Sequence, residues 1–113
     1  MAGLPLNTFK SIPAPVTTSL QTVYTAPLGI TSIVLMAQVS NIVQTAQTVS
    51  FIHYSYNTGI TTYIVSSAVV APNDALILLG GKLVLETGDQ LKIQGNANAS
   101  MQFIASILET ANQ

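Results

Sequence analysis

The amino-acid sequence predicts an all-β fold: a single antiparallel β-sandwich or jelly roll of about eight strands, preceded by an extended N-terminal arm. Three observations lead there. Val, Ile and Thr dominate the chain, and β-branched side chains favour the pleated, half-buried surface of a sheet. Apolar residues recur with period two in short segments. Clusters of Gly, Pro, Asn and Asp divide those segments, and no stretch offers the crossover helix that a parallel sheet requires. A chain of 113 residues fits one such domain.

Residues 1–19 read as the arm and 20–113 as the sandwich. Pro5, Pro13 and Pro15 recur in the arm without periodicity, and proline cannot join a central ladder. A first strand over 20–25 stops at Pro27-Leu28-Gly29, a turn sequence. The next, 30–41, sets Ile33, Leu35, Ala37 and Val39 against Ser32, Gln38 and Ser40. Val34 and Met36 interrupt its polar face, which implies a strand covered on both sides. Over 48–56, Val49, Phe51, His53 and Ser55 alternate with Ser50, Ile52, Tyr54 and Tyr56, and Asn57-Thr58-Gly59 then suits a tight hairpin. Residues 60–70 return from it and end at Pro72-Asn73-Asp74. Strands over 75–79, 82–86, 90–94 and 100–109 follow, divided by Gly80-Gly81, Thr87-Gly88-Asp89 and residues 95–98. In the last, Ile104, Ile107 and Leu108 have helical spacing. Met101, Phe103, Ala105 and Ile107 alternate equally well and no capping box precedes them, so a strand is predicted.

Charged residues make up 6% of the chain and the net charge is −1, where a globular domain usually carries about a quarter charged residues. Nucleic-acid binding is excluded for want of a basic stripe. The chain has no cysteine, so neither a disulfide scaffold nor a thiolate metal site is open to it. Uninterrupted apolar runs last about five residues against the roughly 20 of a spanning helix, so no membrane partner is expected. The N-terminus lacks the basic-then-apolar pattern of a secretory leader, which leads to an expectation of cytoplasmic synthesis. Between Ser11 and Gly81 the one ionised side chain is Asp74. Such surfaces suit permanent burial against neighbours, where unpaired charge is costly to desolvate. The expectation is a symmetric homo-oligomer, a trimer first, with residues 1–19 as its clamp. Leu4, Pro5, Phe9, Pro13 and Pro15 are the arm's candidate contact residues.

No set of residues reads as catalytic, metal-binding or cofactor-binding, and the chain is read as no enzyme. His53 has no acid near it in sequence and is expected to be a packed or interface side chain, since a catalytic base needs a nucleophile and an orienting group. Asp89, beside Gly88, is expected to bond its own turn. Tyr54, Tyr56 and Tyr63 flank the 57–59 hairpin, where tyrosines serve either cross-strand packing or a contact surface.

Two stretches carry a resemblance. Val23-Tyr24-Thr25-Ala26-Pro27-Leu28-Gly29, with the following strand ending Val39-Ser40-Asn41, is similar to small virion structural proteins of tailed bacteriophages, the cyanophage type in particular. Gly81-Lys82-Leu83-Val84-Leu85-Glu86-Thr87-Gly88-Asp89-Gln90-Leu91 resembles the same group. The likeness covers roughly 20–109 and rests on turn residues and strand patterns. It implies a non-enzymatic virion component: a capsid decoration (cement) protein bound to the major capsid protein. The alternative it implies is a small neck, baseplate or tail-fibre-associated module. The Tyr54–Tyr63 hairpin is then a candidate site for a host surface glycan.

Overall fold

The computed structural model describes residues 7–111. Its strands are β1 (Asn7–Pro15), β2 (Gln21–Thr25), β3 (Ile30–Asn41), β4 (Gln47–Tyr54), β5 (Thr61–Val70), β6 (Ala75–Ile77), β7 (Leu83–Leu85), β8 (Gln90–Gly95) and β9 (Met101–Ala111). A five-stranded sheet has the order β1-β9-β3-β6, with β7 also on β3, and a four-stranded sheet has the order β2-β8-β4-β5. All pairings are antiparallel. Because β6 and β7 lie along the same strand, they are two pieces of one interrupted element. Counted so, the described residues form an eight-stranded jelly roll wound between two sheets.

The inward faces of both sheets form one core. Phe51 from β4 meets Phe103 from β9, with ring centroids 5.6 Å apart and tilted by 38°. Val34, Val39, Leu91 and Ile93 are buried around them. The last segment is a strand, as its alternation predicts. Met101, Phe103, Ala105 and Ile107 point inward, while Gln102 and Ile104 are exposed.

Part of the span expected as an arm is a strand of the sandwich. Asn7–Pro15 is extended, but it pairs along its whole length with β9 of the same chain. The prolines allow this because of where they fall. The Val16 N–H donates to the Met101 carbonyl at 3.1 Å, continuing a register in which even-numbered residues face β9. Pro13 and Pro15 are odd, so their missing N–H groups fall on the free edge of the sheet, where no ladder needs them.

The interruption at Val34 and Met36 also has a structural cause. The β3–β9 register shifts between these residues, leaving Leu35 as the extra residue of a bulge. Ser32 and Val34 face inward before it, and Ala37, Val39 and Asn41 after it. The inward set therefore changes parity mid-strand, and a single alternation drawn through 30–41 cannot describe both halves.

Each sheet edge is irregular. β1 carries the two prolines, β2 has five residues and a bulge, β5 has two register shifts against β4, and β6 and β7 have three residues each. These are devices that stop a sheet from adding a foreign strand.

Candidate interaction surfaces

The outward face of the five-stranded sheet is built from residues brought into rows by register. Phe9 lies opposite Leu108, Leu108 opposite Ile33 and Ile33 opposite Val84, so four strands contribute one apolar row. Pro13, Ile104, Gln38 and Ile77 form a second row in the same way. Ser11, Ser106 and Met36 lie between them. Phe9 is 73% exposed, Ile77 59% and Val84 55%. None of the chain's three lysines and four acids holds an outward position on these strands. Lys10 and Glu109 are on the inward side, and Asp74, Lys82, Glu86, Asp89 and Lys92 belong to turns or to the other sheet. At one end of this face Pro13, Pro15, Ser40, Gln102 and Ile104 line an open groove of about 610 Å³.

The outward face of the four-stranded sheet differs in character. Thr22 lies opposite Lys92, Ser50 opposite Gln94 and Tyr54 opposite Gln90. The Lys92 ammonium sits 5.2 Å from the centre of the Tyr54 ring. The first face thus mixes apolar side chains with Ser11, Gln38 and Ser106 and carries no charge, whereas the second mixes the exposed Val69 and Tyr63 with amides and hydroxyls and carries Lys92.

The tyrosine hairpin is held by one carboxylate. Asp89 Oδ1 accepts the Tyr56 N–H at 3.0 Å, and Asp89 Oδ2 accepts the Glu86 N–H at 3.1 Å. His53 Nε2 is 3.2 Å from Oδ2. Asp89 does bond its own turn, as expected of it. It also takes the half-buried His53 and the backbone of the neighbouring hairpin, which lie more than thirty residues earlier in the chain. The acid that sequence proximity could not supply comes from the adjacent strand end, because β8 pairs with β4. Tyr56 is 67% exposed and packs its ring on Gly88, whose φ of +87° and lack of Cβ leave room for it. Tyr63 is exposed and lies opposite Ile52, and Tyr54 is half-buried. Among the described residues no ring–ring contact joins the three tyrosines.

Of the arm's candidate residues, Phe9, Pro13 and Pro15 all fall on the outward face of the five-stranded sheet, whereas Leu4 and Pro5 lie outside the described residues. Sequence reasoning missed that Ile33, Val84, Ile104 and Leu108 complete the same face. For Ile104 and Leu108 the signal was the helical spacing within 100–109, which arises because apolar residues lie on both faces of that strand. Ile33 and Val84 had no local signal that set them apart from core residues.

A polar cluster between the sheets was also missed. Tyr24 of β2 donates its hydroxyl to Glu109 Oε2 of β9 and lies 2.7 Å from the Ser32 hydroxyl of β3. The other Glu109 oxygen takes Lys10 Nζ of β1 at 3.2 Å. Burial pushes the Tyr24 hydroxyl well above its ordinary pKa, and the hydrogen bond and charge of Glu109 push the same way, so Tyr24 stays a neutral donor. The cluster ties four strands together and fastens one sheet to the other.

No family model matches the chain, and no curated protein matches it. Solved structures do share its fold. A chain of the Bacillus endospore appendages, described as disulfide-linked pili, superposes with a TM-score of 0.57 at 16% identity, over 95% of this chain and 88% of that one. VP2 in the subviral particle of infectious bursal disease virus superposes at 0.53 and 13% identity, over 94% of this chain and 33% of that one. A mutant VP2 from T=1 particles of the same virus gives 0.51 at 12% identity, with coverages of 94% and 32%. The chain therefore spans about a third of the length of VP2. At these identities the likeness is one of fold.

Proposed function

We propose that this chain is a non-enzymatic structural subunit of a tailed-phage virion, a capsid decoration protein that binds the major capsid protein as a homo-oligomer and stabilises the shell. The observation that carries the reading is a jelly roll whose broadest outward face bears apolar side chains and no charge, a surface made for burial rather than for solvent. The shared fold of a virus particle protein and a pilus protein supports an assembling role. This chain has no cysteine, so its copies are held by packing and not by the disulfides of those pili. Contacts that exist only in the assembled shell raise the free energy needed to open it. Sequence reasoning puts a trimer first among the possible oligomers.

Quantitative mass spectrometry of purified particles, with immunogold labelling against this chain, tests the proposal. Hundreds of copies spread over the head are expected. A dozen copies confined to neck, baseplate or fibre would replace decoration with the tail reading, and absence from particles would end both. The tail reading draws on the exposed Tyr56 and Tyr63 beside a turn fixed by Asp89. It predicts glycan binding that is lost in Tyr56→Ala with the fold intact.

A further inference from the structure

We infer that the outward face of β1, β9 and β3, with β6 and β7 at its margin, is the surface by which two copies of this chain pack on each other. The inference deepens the self-assembling reading above and rests on it. Three arguments identify the occupant as a second copy. The first is charge. A surface that meets its own copy across a twofold axis brings like charges together, and this face has none to bring. The Phe9–Leu108–Ile33–Val84 row and the Pro13–Ile104–Ile77 row can lie against their own symmetry mates without that penalty.

The second argument is extent. Four strand positions at about 4.8 Å and nine to eleven residues at about 3.3 Å give a face of roughly 600–700 Å² before side-chain relief. That approaches the ~800 Å² per partner of a standard stable interface. The third is the state of the edges. The prolines of β1, the bulges of β2 and β5 and the shortness of β6 and β7 block lateral strand addition, so copies must meet by faces. Of the two faces, the other carries the charge of Lys92, which a twofold contact would set against its own copy. Pairing by one shared face is isologous, so it gives a dimer or a multiple of dimers in place of a trimer.

Sedimentation equilibrium on the full chain tests this, with circular dichroism to verify folding. Val84→Glu and Phe9→Glu each place a carboxylate on the exposed face without touching the core, and Thr22→Glu places one on the opposite sheet as a control. The expected result is a wild-type dimer or even multimer, weakened at least about a hundredfold by either face variant because a charge is then buried unpaired, and unchanged by Thr22→Glu. Agreement between the two face variants guards against one of them failing to fold. Wild-type oligomer unaffected by both face variants overturns the face while leaving self-assembly standing. A folded wild-type monomer at hundreds of micromolar overturns both. A monomer whose adsorption to purified particles is lost in Val84→Glu gives the face to a capsid partner and overturns self-pairing.

Discussion

Replacing Tyr24 by Phe removes one oxygen atom from the interior and leaves the ring that fills the space. The oxygen donates to the Glu109 carboxylate, which is 9% exposed at its side chain, and lies 2.7 Å from Ser32. A hydrogen bond to a charged group contributes about 1.5–3 kcal/mol. The Lys10–Glu109 pair contributes less, because the Lys10 side chain is 46% exposed and exposed pairs are worth about 0–1 kcal/mol. Tyr24→Phe should therefore cost roughly 2–3 kcal/mol and Lys10→Met no more than about 0.5 kcal/mol, with the tyrosine bond dominating the cluster. At about 4 °C per kcal/mol for a domain of this length, the melting temperature falls by roughly 10 °C. Urea unfolding followed by circular dichroism, at one fixed protein concentration, measures Tyr24→Phe, Glu109→Gln and the double variant. A coupling energy of about 1.5 kcal/mol or more is expected between them. Coupling below about 0.5 kcal/mol, or a larger loss in Lys10→Met than in Tyr24→Phe, would refute the argument that this bond fastens the two sheets.

The same cluster sets an alkaline limit. An unfolded tyrosine ionises near pH 10, while folded Tyr24 keeps its proton to higher pH. Stability from this group is therefore complete below about pH 10 and falls as pH rises beyond it. Stability curves against pH should show that fall in the wild type and a smaller one in Tyr24→Phe. Gly88→Ala meets two obstacles, the φ of +87° and a Cβ that would lie 2.8 Å from Tyr56 Cγ. It should cost about 1–3 kcal/mol, and adding Tyr56→Ala should recover the steric part only, as read from melting temperatures. Asn41 is buried, with its amide bonded to the carbonyls of Thr45 and Val70 and its oxygen to the Val43 N–H. Asn41→Ala should cost about 2–3 kcal/mol and speed amide exchange first in residues 42–46.

How far the sequence could be read depended on whether a feature is local. Period-two patterning and turn residues are local, so the hairpin at 57–59, the strand over 30–41 and the last strand were all legible. The role of residues 7–15 was not, because the prolines that suggest an arm are equally compatible with an edge strand whose free N–H positions they occupy. Deciding between the two needs the register with β9, which is set some ninety residues away. The His53–Asp89 contact and the Tyr24–Glu109 bond were hidden for the same reason: each joins residues remote in sequence. The candidate residues Phe9, Pro13 and Pro15 were found as apolar members of an arm, yet the face that unites them with Ile33, Ile104 and Leu108 exists only after pairing.

The bulge at Leu35 divides β3 into two segments that are out of phase with each other. Five-stranded pairing depends on this strand, since β9, β6 and β7 all bond to it. Leu35 is thus a residue of β3 that the β9 ladder skips. Removing that one residue would set Val34 directly before Met36, matching Ile107 and Ser106 on β9, so Ser32, Val34, Ala37 and Val39 would all stay inward in one unbroken alternation. What would be lost is the bulge itself, with its local bend and added twist. Deletion of Leu35 should therefore leave a folded sandwich by circular dichroism, whereas deletion of Val39, inside the regular ladder, should turn one half of the strand inside out.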